Sequence, residues 1–410
     1  MKKTILLSIT ASSFLMAGAY KVPEQSVNSM ALGAAYVAHT DGADTAYFNP
    51  ANMAFMEDKQ FAEVGLTWAH LPRNEFEGHQ AYSATEVHPA SNQSEIENLQ
   101  LPFIHYVSRP MGDFRWGASV TVPGGLTKRW KSGHQKVSAE EFTLKVIEVS
   151  PSASYKVADN FALGGGVRLI YSEGIVNSDG GAIKPLKREM EGDTVEFGYN
   201  LAMTYKPTSD INIAGTYRSN IDLGEEGQAN LYLFGVGKQY SAEVTVPLPA
   251  ALNLAVSKTW QDKYTVELNY EKTYWSEYKE LDFNYGSPIQ SALVSSFDDA
   301  KAKNWNDTNT YRIGLTAKVT PSITLMAGYA KDETPIDKRY ISYELPDSDA
   351  DIYTLGVRVQ QNENLSYGIA YLHDKKEEQT LGAGENNNGI IGKFSEGGAN
   401  LLTVGMAYTF

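Results

Sequence analysis

The last ten residues, 401–410, read LLTVGMAYTF, and every second position from Leu402 to Phe410 is apolar or aromatic. The residues between them are small or weakly polar, namely Thr403, Gly405, Ala407 and Thr409. Side chains of a β-strand alternate between two faces, so this segment has one apolar face and one that is not. The pattern predicts a final β-strand, either in the wall of a membrane barrel or half-buried in a soluble sandwich.

The same period of two recurs along the chain. In residues 161–171, for example, Phe161, Leu169 and Tyr171 share the apolar face, and Arg168 lies on the other face. Tyrosine stands at one end of nearly every apolar stripe, which is typical of the aromatic girdles of membrane barrels. The sequence therefore predicts an all-β fold, a transmembrane antiparallel β-barrel of about fourteen strands. We expect the strands near residues 61–71, 101–108, 114–122, 143–157, 160–174, 193–206, 210–219, 240–260, 263–276, 308–319, 322–331, 351–360, 364–374 and 400–410.

The links between these strands alternate in length. Links such as 110–113, 207–210 and 320–322 are short, whereas those at 73–100 and 277–306 are long, polar and charged. Short turns at one end and long loops at the other are typical of the periplasmic and extracellular ends of an outer-membrane barrel. A chain that ends in Phe410 after an alternating strand resembles the terminal strand that the outer-membrane assembly machinery recognises, so we expect that machinery as a partner.

The amino terminus has the features of an export signal. Lys2 and Lys3 precede an uncharged stretch, residues 4–20, and the small residues at 17–19 suit signal peptidase. We expect residues 1–19 to be a signal peptide that is removed. A comparably long uncharged stretch elsewhere, residues 244–257, contains two prolines and does not suit a spanning helix. An exported chain without a spanning helix is periplasmic, secreted or a closed barrel of the outer membrane.

The composition excludes several classes of function. The 410 residues include no cysteine, so a disulfide scaffold and a cysteine-ligated metal site are ruled out. The formal charge is −14, from 35 Lys+Arg against 49 Asp+Glu, and the chain has no basic block, so we expect no nucleic-acid partner. None of the seven histidines has the spacing of a catalytic triad or a metal site. We therefore expect no enzymatic activity, metal or cofactor.

Residues 20–59 lack the period of two and are rich in Ala, Gly, Met and aromatic residues. An export linker seldom has this composition, so we expect a compact plug in the barrel lumen. Within it, Leu32-Gly33-x-Ala35 and Ala46-Tyr47-Phe48-Asn49-Pro50-Ala51-x-Met53 resemble the amino-terminal hatch of the FadL/TodX (OmpP1) family of outer-membrane transporters for long-chain fatty acids and other hydrophobic compounds. Further matching motifs follow in order along the chain: residues 115–119, 123–126, 217–219, 273–276, 311–313 and 332–335.

The resemblance implies a hatch at residues 20–59 inside a fourteen-stranded barrel at residues 60–410. It also implies a hydrophobic binding pocket and an exit sideways through the wall into the membrane. We therefore expect passive transport of long-chain fatty acids or similar hydrophobic molecules. The alternatives are an uptake channel for aromatic hydrocarbons and, less in keeping with a plug, a general diffusion porin. We expect a monomer in contact with outer-membrane lipid and lipopolysaccharide.

Several cations fall on the inner faces of the predicted strands, although the chain is acidic overall. They are candidates to bind a ligand carboxylate by charge-assisted hydrogen bonds, and the set is Arg312, Arg168, Arg218, Lys318 and Arg358. The alternative is that they pair with inward acids and support the barrel, the candidates being Glu196, Glu267 and Glu271.

Residues of the predicted hatch complete the candidate site. Met53 and Phe55 either contribute to an apolar pocket or pack between plug and wall. Asn49 is expected to fix a turn through backbone hydrogen bonds, with Pro50 setting φ and Ala51 allowing close approach, so that the triplet supports a gate. In the third strand, the consecutive residues Pro123, Gly124 and Gly125 suggest a kink in the wall, by analogy with the wall opening of the family.

Overall fold

The computed structural model describes residues 19–410. The expected signal peptide at residues 1–19 lies outside the described residues, except for Ala19. In the described part, no helix is long and apolar enough to cross a membrane.

Fourteen antiparallel strands form a closed wall, which confirms the predicted strand number. Each strand pairs with the next, and the barrel closes where the first strand pairs with the last over Phe61↔Thr409 to His70↔Asn400. In chain order the wall strands are β1 Phe61–Leu71, β2 Glu97–Val107, β3 Phe114–Arg129, β4 Glu141–Ala158, β5 Phe161–Asp179, β6 Leu186–Thr208, β7 Ile211–Arg218, β8 Ala251–Trp260, β9 Tyr264–Thr273, β10 Thr308–Thr320, β11 Ile323–Asp332, β12 Ala350–Gln360, β13 Leu365–Lys376 and β14 Gly398–Thr409.

The two faces of the wall follow the alternation in the sequence. Outward positions are apolar and exposed, as at Phe197, which is 67% exposed, and Leu355, which is 61% exposed. Inward positions such as Thr403 and Arg168 are polar and buried. Backbone groups in a bilayer must find partners within the protein, and closure of the strand ladder provides them. The outward apolar side chains then form a belt that faces lipid.

The prediction of one strand over residues 240–260 is wrong. The segment is divided into Val236–Leu248 and β8, with Pro249 and Ala250 between them. Proline has no backbone N–H to donate to a ladder, so the wall strand begins only at Ala251. The first half pairs with Ile221–Leu233 in a hairpin that stands between β7 and β8 and also pairs with the beginning of β6.

The long loops contain short elements of their own. The shorter strands are Glu75–Ala81, Val87–Pro89, Asn92–Gln93, Glu280–Leu281, Phe283–Tyr285, Lys301–Ala302, Gln379–Leu381 and Ile390–Ser395. The helices of the loops are Lys136–Ala139, Ser291–Phe297 and the 3₁₀ turns Trp275–Glu277 and Lys338–Tyr340.

Residues 20–59 form the helices Val27–Ala31 and Thr45–Phe48 and the 3₁₀ helix Pro50–Phe55. They pack against the inner face of the wall at glycines. A Cβ built at Gly356 would lie 2.5 Å from the Cβ of Ala31, and one at Gly164 would lie 2.9 Å from the Cα of Ala51. Glycine is therefore required at these wall positions because the backbone of the N-terminal segment approaches so closely.

Candidate functional site

A cavity lies between the N-terminal segment and the inner face of the barrel. Its apolar lining includes Val22, Pro23, Val37, Tyr47, Phe48, Pro123, Leu248 and Pro249. Its polar lining includes Lys21, Arg168, Thr216, Arg218, Asn253 and Glu271. The cavity thus combines a mostly apolar wall with several charged groups.

Two of the predicted cations, Arg168 and Arg218, share one carboxylate at this cavity. Arg168 donates from Nε and Nη2 to Oε2 of Glu148 at 3.1 and 3.0 Å. Arg218 donates to the other oxygen of Glu148, and its guanidinium lies 4.2 Å from the ring centroid of Tyr47. Two guanidinium groups against one buried carboxylate leave this cluster with a formal excess of one positive charge.

A second cluster has the same arrangement around Glu271. Lys21 donates to its Oε1 at 2.6 Å, and Nη2 of Arg312 lies 3.5 Å from the same oxygen. Glu24 also acts on Arg312, but burial raises the pKa of Glu24 to about 7, so its side chain is only partly ionised at neutral pH. Asp332 also acts on Arg312, so the acids around this cluster offset its two cations.

The other two predicted cations lie elsewhere. Arg358 donates to Oδ1 of Asn28 and to Oε1 of Glu63, both at 2.9 Å, and so ties the N-terminal segment to the wall. Lys318 is exposed and lines a separate cavity of about 1400 Å³ at the end of the barrel that has the short turns. Neither side chain lines the central cavity.

The predicted ion pairing is therefore correct for one of its three acids, since Glu271 pairs with cations. Glu267 instead accepts hydrogen bonds from the backbone N–H groups of Val37, at 2.6 Å, and Ala38, at 3.0 Å. Glu196 accepts from the hydroxyl of Thr194 at 3.2 Å.

Met53 and Phe55 pack against the wall and do not line the central cavity. Met53 is fully buried beside Val107, and the ring of Phe55 lies 4.4 Å from Nζ of Lys206. Of the two interpretations that the sequence left open, this position agrees with packing between the N-terminal segment and the barrel.

Asn49 joins three parts of the molecule. Its Nδ2 donates to the carbonyl of Val37 at 2.8 Å and to the hydroxyl of Thr204 at 2.9 Å, and its Oδ1 accepts from the N–H of Ala51 at 3.1 Å. Pro50 is the first residue of the 3₁₀ helix, where its fixed φ suits the helix start. The triplet thus links the two halves of the N-terminal segment to β6.

The wall has a seam between β2 and β3. These strands pair only over Ile104↔Val120 to Val107↔Gly117, and the register of β3 against β4 shifts between Thr121 and Gly124. Above this point the N-terminal chain supplies partners for β3. The N–H of Val22 donates to the carbonyl of Pro123 at 2.9 Å, and the N–H of Gly125 donates to the carbonyl of Tyr20 at 2.8 Å.

Gln25 satisfies both backbone groups of Val122 at the seam. Its Nε2 donates to the carbonyl of Val122 at 2.8 Å, and its Oε1 accepts from the N–H of Val122 at 2.9 Å. At the far end, Arg129 and Glu97 close the seam through two charge-assisted hydrogen bonds of 2.7 and 2.5 Å. The sequence suggested a kink at Pro123, Gly124 and Gly125. In the structure these residues lie at the seam, which the N-terminal chain seals and which borders the central cavity.

The sequence analysis did not single out Lys21, Tyr47 or Glu148 as functional residues. Glu148 has a detectable signal, because it falls on the same face of its strand as Ser150 and Ser152 and opposite Val149. Lys21 has no such signal, since its partner Glu271 is 250 residues away and is brought close only by the docking of the N-terminal segment.

Comparisons with known proteins agree with this architecture. The family model described as outer membrane protein transport protein (OMPP1/FadL/TodX) matches residues 8–410. Outer membrane protein P1 of Haemophilus influenzae is 24% identical over 98% of this chain and 99% of the relative. The long-chain fatty acid transport protein of Escherichia coli O6:H1 is 23% identical over 93% of each chain.

Solved structures show the same fold. A Pseudomonas aeruginosa FadL homologue superposes with a TM-score of 0.81 at 20% identity, covering 95% of this chain and 99% of the homologue. The Pseudomonas putida toluene transporter TodX superposes with a TM-score of 0.70 at 16% identity, covering 97% and 99%. At these identities the likeness shows the fold alone.

Proposed function

Because the chain belongs to the OMPP1/FadL/TodX family of outer-membrane transport proteins and is located in the outer membrane of a Gram-negative bacterium, we propose that its cargo is a long-chain fatty acid. The acid binds in the central cavity and leaves sideways into the membrane through the β2–β3 seam. Transport is passive and follows the concentration gradient of the ligand.

The observation that carries the choice of ligand is the excess of positive charge in an otherwise apolar cavity. The cluster around Glu148 sets two cations against one carboxylate, and Lys21 lines the same cavity. An aromatic hydrocarbon gains at most a cation–π contact from this charge. A fatty acid carboxylate can form the stronger charge-assisted hydrogen bonds with it. Each buried methylene of the tail adds about 0.8 kcal/mol.

The position of Lys21 suggests how binding is coupled to release. Lys21 belongs to the same short stretch, residues 20–25, that seals the seam against β3. A ligand carboxylate that draws Lys21 away from Glu271 would weaken the hold of this stretch on the wall. We propose that residues 20–59 act in this way as a hatch within a barrel formed by residues 60–410. Asn49, Pro50 and Ala51 hold the turn that links the two halves of the hatch.

Two finer points of the proposal concern partners. The exposed apolar belt contacts outer-membrane lipid and lipopolysaccharide, and the protein works as a monomer because the cavity and the seam are both complete in one chain. The alternating strand that ends at Phe410 serves as the recognition element for the assembly machinery.

The test compares two variants in the purified protein reconstituted in lipid nanodiscs, with palmitate and toluene as ligands. Arg218→Met removes a cation that lines the central cavity, and Lys318→Met removes one that lines the other cavity. Loss of a charged hydrogen bond should weaken palmitate binding roughly ten- to a hundredfold in Arg218→Met. Lys318→Met should match the wild type, and toluene binding should be unchanged in both.

Equal losses for palmitate and toluene in Arg218→Met would contradict the assignment of a carboxylate ligand. Tight binding of toluene with no binding of palmitate by the wild type would favour a channel for aromatic hydrocarbons instead.

A further inference from the structure

His105 stands where β2, β3 and the N-terminal segment meet. It lies in β2, opposite Ser119 of β3, and its side chain is fully buried. The neighbouring pair, Ile104↔Val120, is the last one before the two strands part at the seam. His105 is therefore one residue away from the point at which the pairing of the wall ends.

Both ring nitrogens of His105 are hydrogen-bonded. Nε2 lies 2.8 Å from the backbone carbonyl oxygen of Gln25, and Nδ1 lies 2.8 Å from Oγ of Ser119. Because a carbonyl can only accept, Nε2 carries the proton and donates it to Gln25. A second proton on Nδ1 would place a charge on a fully buried ring, so Nδ1 accepts from the hydroxyl of Ser119. The neutral imidazole thus ties Gln25 to the paired part of the wall.

The same ring contacts a residue of the central cavity. The ring centroids of His105 and Tyr47 lie 6.3 Å apart with the planes at 52°, within the range of interacting aromatic pairs. Tyr47 lines the central cavity, and the guanidinium of Arg218 packs on its ring at 4.2 Å. His105 itself does not line that cavity. It therefore lies between the proposed cargo site and the seam.

The stretch that seals the seam is attached to β3 at two places. The first attachment is the backbone pairing around Lys21, in which the N–H of Gly125 donates to the carbonyl of Tyr20 at 2.8 Å. The second is the side chain of Gln25, which binds the N–H and the carbonyl of Val122. Lys21 belongs to the first attachment, whereas the imidazole is bonded to the second. The two attachments can therefore respond to different parts of the cavity.

We propose that His105 is the positioning residue that transmits cargo binding at Arg218 to the seam at Val122. This inference rests on the proposed fatty acid transport. A cargo carboxylate that takes hydrogen bonds from Arg218 shifts the guanidinium on the ring of Tyr47. Because the interior is closely packed, the imidazole follows that ring and its bond to Gln25 breaks. A cargo without a carboxylate leaves this second attachment closed.

The test is amide hydrogen exchange of the full chain in nanodiscs, measured with and without saturating palmitate. In the wild type, palmitate should speed exchange roughly tenfold at Val122 and at Gly125, a coupling typical of linked sites. His105→Phe keeps a ring beside Tyr47 but cannot bond to Gln25. The effect of palmitate should then be lost at Val122 and kept at Gly125. Palmitate affinity should stay within about threefold of wild type, because His105 does not touch the cavity.

The ratio of rates with and without palmitate separates this role from a structural one. A bond that only stabilises the seam would, when removed, speed exchange at Val122 equally in both conditions and leave the ratio at its wild-type value. His105→Gln is the second variant, because its amide can still donate to Gln25 but offers no ring to Tyr47, and the ratio should fall there too. His70→Phe is the matched control, since His70 bonds to Asn98 at 2.9 Å near the end of β1.

A palmitate effect at Val122 that persists in His105→Phe and His105→Gln would overturn the inference and leave the proposed function intact, with release governed by Lys21 alone. Binding of palmitate by the wild type without faster exchange at Val122 would overturn it as well, as would an equal effect of hexadecanol, which has no carboxylate. Absence of palmitate binding by the wild type would instead overturn the proposed function itself. If His105→Phe does not fold, the ratio in His105→Gln decides.

Discussion

Gln25 is the residue whose removal most directly tests how the seam is sealed. Its side chain is 3% exposed and makes three hydrogen bonds, to the N–H and the carbonyl of Val122 and to the carbonyl of Val22. In Gln25→Met the volume is nearly kept, but both backbone groups of Val122 lose their partner in a buried place. At about 1–3 kcal/mol for each unsatisfied group, the local stability should fall by about 2–6 kcal/mol.

The assay is amide hydrogen exchange of the protein in nanodiscs. A loss of 2 kcal/mol corresponds to roughly thirtyfold faster exchange, so the amides of Val122 and Gly125 should exchange at least that much faster. Amides in the paired part of β2 and β3, such as Val120, serve as the internal reference. Gln360→Met, at the exposed end of β12, is the control variant. Unchanged exchange at residues 122–125 in Gln25→Met would refute the view that the N-terminal chain seals the seam.

Three further predictions concern the N-terminal segment and its anchors. Burial raises the pKa of Glu24 from 4.5 to about 7, so between these two pH values the folded state binds more protons than the unfolded state. The N-terminal segment should therefore lose up to about 3 kcal/mol of stability as the pH rises from 4.5 to 7. Limited proteolysis from pH 4.5 to 8 should show this loss. It should be smaller in Glu24→Gln, where Asp44, whose pKa burial also raises to about 7, still titrates; an identical profile in that variant would contradict the assignment. Asn49→Ala should destabilise the 3₁₀ helix by about 1–3 kcal/mol, seen as faster amide exchange there, and unchanged exchange would count against its role as an anchor. Arg358→Met leaves the buried carboxylate of Glu63 unpaired and should lower stability by about 3–5 kcal/mol in thermal unfolding. Arg339→Met removes an exposed ion pair and should leave the thermal midpoint close to wild type, so equal effects would contradict the difference in burial.

The wall could be predicted from sequence because each strand carries its own signal. In β14 the apolar residues at every second position define the outer face without reference to any other strand. The same local rule placed Arg168 and Arg312 on the inner face, where both are buried. The rule failed at Pro249, where a strand of the loop hairpin adjoins a wall strand and the period of two continues across the break.

The site could be predicted only in part because its contacts are made between distant segments. Register tells which way Arg218 points, but its partner Glu148 comes from a strand that is not its neighbour, and Tyr47 comes from the N-terminal segment. The position of Lys318 shows the limit of this reasoning. It lies near the end of its strand, where the lumen opens and the side chain is exposed. Arg188 lies in β6, but before residue 193, where the sequence predicted this strand to begin.

The central claim is that the cavity between the N-terminal segment and the wall binds a fatty acid through its surplus cations. The most direct test is an experimentally determined structure of the protein with palmitate bound. The account predicts the carboxylate within hydrogen-bond distance of Arg218 or Lys21, with the tail along Tyr47, Phe48 and Leu248. A bound palmitate whose carboxylate contacts neither cluster, with Lys21 still on Glu271 and Arg218 still on Glu148, would contradict it.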